Sequence, residues 1–511
     1  MKVPLTVVDF LRRAELVYGD RIGAVDEPDQ PAESWGEISY RRMAELARAQ
    51  AAGLDHLGIG QGERVAMVSQ NSARLLTAFW GVSGSGRILV PINFRLNADE
   101  IGYIVEHSGA SVLLVDPEVD ASLSGVSAKY RYVIGAEADE ALLAFDQEPE
   151  PWTPDEDATA TINYTSGTTA RPKGVQITHR NIWVNAATFG WHASVNDRDV
   201  YLHTLPMFHC NGWGMTYAVT GMGGTHVVLR KVDGAEILRR VDKYGVTLMC
   251  GAPAVVAMVL EAAASWDGEI PGKGRTRIVV AGAPPPTRTI ERIETELGWE
   301  FIQIYGLTET SPLLVMNRGR AEYDSLAPGE RASRLSRAGA PALGIEMAVD
   351  AEGEVLARGN VILEGYWDQP EATAAAIVDG WFHTGDGGSI DDEGYVTISD
   401  RKKDVIITGG ENVSSIEIED TLFSHPAVAE VAVIGAPDDK WGETVIALVV
   451  LAPGASATED ELKAHCREKL AHFKCPTRIE FRDELARTAT GKLQKFKLRA
   501  PYWEGRERLV N

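Results

Sequence analysis

The sequence has few cysteines, no long apolar run and no surplus of basic charge, and each absence excludes a class of protein. The longest apolar stretches, such as residues 445–452, are far shorter than the roughly 18–20 residues of a membrane-spanning helix. Residues 1–20 carry too many charges for a secretion signal and predict an amphipathic helix instead. The cysteines are Cys210, Cys250, Cys466 and Cys475. They form no C-x-x-C pair and no regular framework, which predicts reduced thiols. Together with the short apolar runs, this predicts a cytoplasmic protein without a membrane span.

The balance of charge is acidic, with 73 acidic and 50 basic residues and a formal net charge of −23. Such a surface repels phosphate backbones, so we expect no nucleic-acid partner. An anionic substrate would therefore need a local positive site, built from clustered Lys, Arg and backbone N–H groups.

The length of 511 residues exceeds the roughly 250–300 at which a single core stops growing, which predicts at least two domains. Through the first 400 residues, β-branched runs alternate with helical patterns, as is typical of an α/β protein with parallel sheets. The predicted strands are 64–69, 111–116, 225–230, 246–251, 277–282 and 300–306, and the predicted helices are 73–84, 235–245, 254–266 and 287–299.

After residue 404 the pattern changes to a small α+β unit. Capping boxes at Ser414/Glu417 and Thr458/Glu461 predict two helices, with strands at 428–435 and 444–452 between them. We therefore predict a domain boundary in the charged stretch at 400–403, which gives an N-terminal domain of residues 1–400 and a C-terminal domain of residues 401–511.

The strongest local pattern is TINYTSGTTARPKGV at residues 161–175, in which a strand-like run leads into a loop of Thr, Ser and Gly. Small residues let backbone N–H groups approach an anion, the hydroxyls add donors, and Lys173 adds positive charge. The spacing is not that of the Walker loop. A phosphate site and an ordinary Ser/Gly turn are about equally compatible with the composition.

This string closely resembles the phosphate-binding loop of the adenylate-forming superfamily of acyl-CoA synthetases, nonribosomal adenylation domains and luciferases, and the chain most resembles a bacterial acyl-CoA ligase. Four later motifs of the family follow in order: YGLTE at 305–309, WFHTGD at 381–386, DRKKD at 400–404 and RTATGK at 487–492. The resemblance implies a large N-terminal domain of stacked α/β subdomains and a small mobile α+β C-terminal domain.

The activity that the resemblance implies is that of an acid–thiol ligase, with ATP, Mg²⁺ and coenzyme A. A carboxylic acid and ATP would give acyl-AMP and pyrophosphate, and coenzyme A would then give acyl-CoA and AMP. By the same resemblance, Lys492 is the adenylation catalyst, Glu309 holds the magnesium ion, Thr308 contacts the α-phosphate, and Lys403 is the hinge of the mobile domain. The alternative for Lys492 is a solvated lysine without a catalytic role, and the alternative for Glu309 is an exposed glutamate at a helix start.

The implied nucleotide contacts come from several motifs. Tyr305 would stack on adenine, while Asp386 would bind the ribose with Arg401 nearby. A core tyrosine and a turn aspartate are the alternatives. The full set of implied ATP and coenzyme A residues is Thr165, Ser166, Gly167, Thr168, Thr169, Lys173, Gly282, Ala283, Pro284, Tyr305, Asp386, Arg401, Gly409, Gly410, Trp441 and Lys474.

The implied acyl site centres on LPMFHCNGWGM at residues 205–215. His209 would lie beside the carboxylate and Trp213 at the acyl tunnel, and the motif favours a short- to medium-chain, branched or aromatic acid. Further lining candidates are Ala281, Ile304, Gly306 and Thr310. A zinc site at His203, His209 and Cys210 is disfavoured, because the ligand spacing is poor.

Other functions remain as alternatives. The acyl group could pass to a carrier protein, an amine or another nucleophile instead of coenzyme A. An inactive nucleotide-binding regulator is disfavoured, because Lys173, Glu309, Asp386 and Lys492 are all present. A serine hydrolase is disfavoured, because the sequence has no G-x-S-x-G elbow. The oligomeric state stays open, with a homodimer among the alternatives.

Overall fold

The computed structural model describes residues 1–165, 171–401, 404–408, 411–438, 441–487 and 493–504, without the side chains of Asp400, Arg401, Glu411 and Asn412. Its strands are β1 (Ile22–Val25), β2 (Glu37–Ser39), β3 (Arg64–Val68), β4 (Ile88–Ile92), β5 (Ala110–Val115), β6 (Tyr130–Val133), β7 (Thr159–Thr165), β8 (Lys173–Thr178), β9 (Val200–His203), β10 (Thr225–Val228), β11 (Leu248–Gly251), β12 (Arg277–Val280), β13 (Glu300–Gly306), β14 (Leu313–Arg318), β15 (Ala340–Pro341), β16 (Ile345–Val349), β17 (Glu354–Gly359), β18 (Gly365–Tyr366), β19 (Ile377–Val378), β20 (Trp381–Ile390), β21 (Val396–Arg401), β22 (Ile406–Thr408), β23 (Glu411–Val413), β24 (Val428–Asp438), β25 (Gly442–Leu451) and β26 (Arg478–Phe481).

The helices are α1 (Val8–Tyr18), α2 (Tyr40–His56), α3 (Ala73–Gly81), α4 (Ala98–Ser108), α5 (Pro117–Asp120), α6 (Ala136–Leu143), α7 (His179–His192), α8 (Met215–Met222), α9 (Gly234–Tyr244), α10 (Pro253–Ala263), α11 (Thr287–Arg292), α12 (Pro328–Leu335), α13 (Pro370–Ala376), α14 (Ser415–Phe423), α15 (Glu459–Lys469) and α16 (Lys495–Trp503). Within the described ranges, every helix is too short or too polar to cross a bilayer.

Two large sheets carry most of the chain. One has the order β15-β14-β13-β12-β11-β9-β10-β1-β2 and is parallel from β13 to β1, and the other has the order β18-β8-β7-β4-β3-β5-β6. Their central strands are continuous apolar runs such as β4 and β12, because helices cover both faces of a parallel sheet. The predicted α/β class is therefore confirmed.

The other two sheets are smaller. Strands β16, β17, β20, β19 and β21 form an antiparallel sheet, and β22 to β26 form the sheet of the C-terminal region. One face of this last sheet packs on α14 and α15 through Ile418, Leu422 and Leu462. Strands of the first three sheets end at Arg401 and those of the fourth begin at Ile406, while the boundary drawn at 400/401 stays a prediction.

The predicted elements were found with small shifts at their ends. Residues 287–299 were expected to form one α-helix, but the structure has α11 followed by a π-helical turn at Ile293–Leu297. The turn ends at Gly298, whose φ of +63° is left-handed and terminates the helix. The amphipathic N-terminal helix is confirmed as α1.

One of the two predicted capping boxes is confirmed, at Thr458 and Glu461. The other was wrong: Ser414 precedes α14, but its hydroxyl donates to the backbone carbonyl of Ser399 and caps no helix N–H. Glu417 instead pairs with Lys474 at 2.6 Å. A charge-assisted contact to an ammonium is stronger than a neutral capping bond, which explains the difference.

Two hydrogen bonds link α14 to α11. The Asp420 carboxylate accepts the backbone N–H of Thr287 at 2.8 Å and the hydroxyl of the same residue at 3.1 Å. Since Thr287 closely follows Gly282–Pro284, this contact brings the C-terminal region beside the predicted adenine loop.

Candidate active site

The predicted phosphate loop connects two antiparallel strands. Strand β7 ends at Thr165 and β8 begins at Lys173, and these two residues are partners across the ladder. The pairing places both ends of the loop together, with the Lys173 side chain half-buried. The rest of the predicted donor set lies outside the described residues: Ser166, Gly167, Thr168 and Thr169.

Helix α4 supports the base of this loop with two ring contacts. The Tyr164 hydroxyl and His107 Nδ1 are hydrogen-bonded at 2.8 Å. The Arg171 guanidinium lies 4.8 Å from the ring centre of Tyr103, within cation–π range. Residues on both sides of the loop are thus held against the same helix.

The YGLTE motif ends in a tight turn at Thr308–Thr310, which follows β13. Gly306 is required there, because a Cβ on this residue would overlap the carbonyl oxygen of Pro312. Thr308 is buried, and Glu309 is half-buried with one carboxylate oxygen accepting the Tyr366 hydroxyl at 3.0 Å. Burial and then the Glu309 charge raise the pKa of Tyr366, so the phenol keeps its proton and acts as the donor.

Glu309 fits the expected magnesium ligand. A half-buried carboxylate offers the hard oxygen that Mg²⁺ takes from proteins, alongside water and phosphate oxygens. The nearby Cys210 does not compete, because burial and then the Glu309 charge raise the pKa of its thiol. The donor chemistry of this turn therefore matches the ion that the family motif implies.

The predicted adenine and ribose residues meet in the structure. The Tyr305 hydroxyl donates to Asp386 Oδ2 at 2.7 Å, although the two residues are 81 positions apart in the sequence. Asp386 is buried on β20 and pairs across the ladder with Arg401, whose side chain lies outside the described atoms. Gly282 has a φ of +93° and open space where a Cβ would stand, which leaves room for a flat ring.

The predicted acyl motif forms an unusual left-handed turn. Five consecutive residues have positive φ: Cys210 at +45°, Asn211 at +53°, Gly212 at +63°, Trp213 at +58° and Gly214 at +84°. Each non-glycine residue in this region costs about 1–2 kcal/mol, least for Asn. The turn buries Trp213, which is 4% exposed, and leaves His209 half-buried just before it.

Buried neutral side chains hold this turn in place. The Asn211 amide donates to the Thr161 hydroxyl at 2.9 Å and accepts from the Asn163 amide at 3.2 Å. Asn185 donates to the Trp213 carbonyl at 3.3 Å and accepts the Leu313 N–H at 3.1 Å. Since Thr161 and Asn163 belong to β7, the acyl turn is tied to the strand that enters the phosphate loop.

The other lining candidates lie around the YGLTE turn. Ala281, Ile304 and Thr310 are buried, and the Thr310 hydroxyl donates to the Pro312 carbonyl at 2.6 Å. His203 is not directed to solvent, since its Nε2 lies 2.9 Å from His226 Nδ1 and burial lowers the pKa of both rings.

The residues predicted for coenzyme A and domain motion are only partly described. Trp441 is half exposed, and Lys474 is engaged by Glu417. Four calls lie outside the described residues and stay predictions: the catalyst Lys492, the hinge Lys403, and the tunnel residues Gly409 and Gly410.

Family profiles match the chain in the order that the motifs predict. The AMP-binding enzyme profile matches residues 12–367, which is well over half of the chain. The chain belongs to the AMP-binding enzyme family. The profile of the AMP-binding enzyme C-terminal domain matches residues 417–492. The resemblance to the adenylate-forming enzymes stated from the motifs is confirmed, as is the division into a large N-terminal and a smaller C-terminal domain, while the resemblance to a bacterial ligase in particular stays a prediction.

Relatives match this AMP-binding enzyme over nearly its whole length. A probable acyl-activating enzyme of Arabidopsis thaliana is 36% identical over 97% of this chain and 96% of its own. A 4-hydroxybutyrate–CoA ligase of Metallosphaera sedula is 37% identical, covering 97% and 94%. A 2-methylpropanoate–CoA ligase of Humulus lupulus is also 37% identical, covering 97% and 95%.

Solved structures give the same result. An anthranilate CoA ligase in complex with anthranoyl-AMP matches with a TM-score of 0.87 at 27% identity, over 98% of this chain and 99% of that one. An o-succinylbenzoate CoA synthetase of Bacillus subtilis, with its acyl-adenylate intermediate, matches with a TM-score of 0.82 at 29% identity, over 96% and 97%. The fold of this AMP-binding enzyme is therefore that of the adenylate-forming enzymes.

Sequence reasoning missed the side chains that connect the motifs. Tyr366 and the Asn163–Asn211 pair were not among the predicted site residues, although Tyr366 contacts the predicted Glu309 and Lys173. Their only sequence signal was an aromatic residue after Gly365 and polar residues inside apolar runs. Such signals gain meaning only when the partner across the fold is known.

Proposed function

We propose that the chain is an AMP-forming acyl-CoA ligase that joins a carboxylic acid to coenzyme A. The observation that carries this proposal is that the residues expected to bind the nucleoside and those expected to bind the phosphates lie in one site. Tyr305 and Asp386 form the nucleoside end, and Glu309, Tyr366 and Lys173 form the phosphate end. The relatives named as CoA ligases support the thiol acceptor.

In the first half-reaction a carboxylate oxygen of the acid attacks the α-phosphorus of ATP. The bond between the α-phosphorus and its bridging oxygen to the β-phosphate breaks, pyrophosphate leaves with the electron pair, and acyl-AMP remains. Lys173 offsets negative charge on the leaving diphosphate, and fixed charges of this kind supply most of the catalysis in phosphate chemistry. Glu309 would hold Mg²⁺, which supplies further positive charge when bound.

The small domain supplies the remaining groups in this proposal. Lys492 would reach the α-phosphate from the C-terminal domain during adenylation. Rotation about Lys403 would then remove it and bring Gly409, Gly410 and Trp441 to the thiol channel, with Lys474 near the coenzyme phosphates. The thiolate of coenzyme A attacks the acyl carbon, and AMP leaves with the electron pair.

We propose a short- to medium-chain, branched or aromatic acid as the substrate. The support is the buried Trp213 and the small or apolar side chains of Ala281 and Ile304, which favour a compact acyl group. Relatives named for 2-methylpropanoate and for anthranilate agree with this class. A cytoplasmic location and a homodimer stay predictions that oligomeric-state and localisation measurements would test.

Pyrophosphate exchange into ATP, measured with a panel of carboxylic acids, tests the first half-reaction. We expect exchange with one group of acids and acceleration of AMP release when coenzyme A is added. Exchange without acceleration by coenzyme A would favour transfer to a carrier protein or an amine. No exchange with any acid in the panel would contradict the proposed function.

A further inference from the structure

One short segment, residues 361–367, connects the two parts of the phosphate end. The Leu363 N–H donates to the Glu309 carbonyl at 2.8 Å, and the Trp367 N–H donates to the Gly174 carbonyl at 2.7 Å. Between these anchors, β18 pairs with β8 at Tyr366 and Val175. The backbone of the segment is therefore fixed to the Glu309 turn on one side and to the exit of the phosphate loop on the other.

The Tyr366 side chain contacts a carboxylate through its hydroxyl and an ammonium through its ring. Its hydroxyl donates to Glu309 Oε1 at 3.0 Å, and the Lys173 ammonium lies 4.7 Å from its ring centre. Its own backbone N–H donates to the Thr373 hydroxyl at 2.9 Å. The residue is half-buried, so these contacts are partly shielded from water.

Each contact suits the charge that it holds. The face of an aromatic ring is electronegative and attracts an ammonium, whereas a phenolic O–H is a donor suited to a carboxylate. A hydrogen bond to a metal-binding carboxylate restricts the orientations that the carboxylate can take. Residues that make such bonds affect metal affinity although they never touch the metal.

We propose that Tyr366 is a positioning residue for adenylation, which orients the Glu309 carboxylate through its hydroxyl and the Lys173 ammonium through its ring. This inference rests on the proposed function. It concerns the first half-reaction alone, because Glu309 and Lys173 act on phosphates and metal, and the diphosphate has left before the thiol attacks.

The test separates the two contacts with Tyr366→Phe and Tyr366→Leu. The Phe variant loses the hydroxyl but keeps the ring, so we expect Mn²⁺ binding in the presence of α,β-methylene-ATP, followed by electron paramagnetic resonance, to weaken about 10- to 100-fold. The Mg²⁺ midpoint of pyrophosphate exchange should rise with it. Thioester formation from supplied acyl-AMP should stay at the wild-type rate.

The Leu variant loses the ring as well as the hydroxyl. We therefore expect it to show a rise in the KM for ATP in addition to the weaker Mn²⁺ binding. Tyr323→Phe is the matched control, because its hydroxyl also pairs with a charged group, accepting from Arg337 at 2.7 Å, but lies away from the site. It should bind Mn²⁺ as the wild type does.

Wild-type Mn²⁺ binding and an unchanged Mg²⁺ midpoint in Tyr366→Phe would overturn the inference. Equal loss of both half-reactions would also overturn it, since that is the signature of general damage to the fold. Absence of exchange in the wild-type enzyme with every acid would instead remove the proposed function itself.

Discussion

The nucleotide end and the acyl turn are held by different kinds of side chain. At the nucleotide end, a tyrosine hydroxyl donates to a carboxylate in each of two pairs, Tyr305–Asp386 and Tyr366–Glu309. At the acyl turn, neutral amides and hydroxyls bind one another in the interior, with Asn163 and Asn211 no more than 3% exposed. The first arrangement keeps charge ready for a charged ligand, and the second fixes a backbone conformation.

Because of this difference, we expect substitutions in the two regions to affect different properties of the enzyme. Removing the charge of Glu309 or Lys173 at the nucleotide end should lower catalysis and leave the fold intact, because both side chains are only half-buried. Removing a buried amide at the acyl turn should lower stability, because its partners would be left without hydrogen bonds in the interior.

The largest expected effect is that of Glu309→Gln. The amide keeps the shape but loses the charge that would hold the metal, so we expect pyrophosphate exchange to fall about 10²- to 10³-fold. The denaturation midpoint should stay near that of the wild type. Glu300→Gln is the control, a half-buried carboxylate paired with Arg318 away from the site. An equal loss of pyrophosphate exchange in Glu309→Gln and Glu300→Gln would contradict a specific role of Glu309 in catalysis.

At the acyl turn, Asn211→Ala should lower the free energy of unfolding by about 2–4 kcal/mol. The change leaves the Asn163 amide and the Thr161 hydroxyl with one partner fewer and places alanine in a left-handed conformation. Asn211→Gly loses the same bonds without the backbone strain, so urea denaturation should show it about 1 kcal/mol more stable than the Ala variant.

A matched control for this pair is Asn317→Ala, at a buried amide that donates to the Arg334 carbonyl at 2.9 Å. It should lower stability without changing the preference among acids, whereas Asn211→Ala should change both. If the two variants show the same acid preference, the turn does not shape the acyl site.

A smaller effect is expected for Tyr305→Phe. Stacking on adenine is kept, while Asp386 loses the hydroxyl that holds it, so the KM for ATP should rise about tenfold because the lost bond joins a carboxylate. Steady-state kinetics at saturating acid would measure it. A change confined to the KM for the acid would place the nucleoside elsewhere.

The smallest effect is expected for Trp213→Phe, which should raise kcat/KM for longer acids relative to shorter ones by about fivefold, since a change of about one methylene in an apolar pocket is worth about 1 kcal/mol or more. A series of linear acids of increasing length would measure this ratio. An unchanged profile would mean that Trp213 belongs to the core alone.

The two regions also differ in how far the sequence predicts them. YGLTE and WFHTGD could be assigned to one nucleotide because charged and glycine-rich strings keep their order in the family. The left-handed turn at residues 210–214 could not be predicted, because Asn211 and Trp213 take positive φ only through contacts with β7 and α7. Likewise Ser414 looked like a helix cap until the carbonyl of Ser399 was known to lie beside it.

Strand and helix positions followed from local patterns, since apolar runs in a parallel sheet and amphipathic helices depend on burial alone. Tyr366 shows the opposite case, as its two charged partners are Lys173 and Glu309, far away in the sequence. Contacts of this kind depend on the sheet topology, which places β18 beside β8.

The positions of the nucleoside and the acyl chain can be observed in a structure of the protein with an acyl-sulfamoyl adenosine, a stable mimic of acyl-AMP. We expect the ribose hydroxyls on the Asp386 carboxylate, adenine between Tyr305 and residues 282–284, and the acyl chain directed to the turn at 210–214. A complex in which the nucleoside contacts neither Tyr305 nor Asp386 would contradict it.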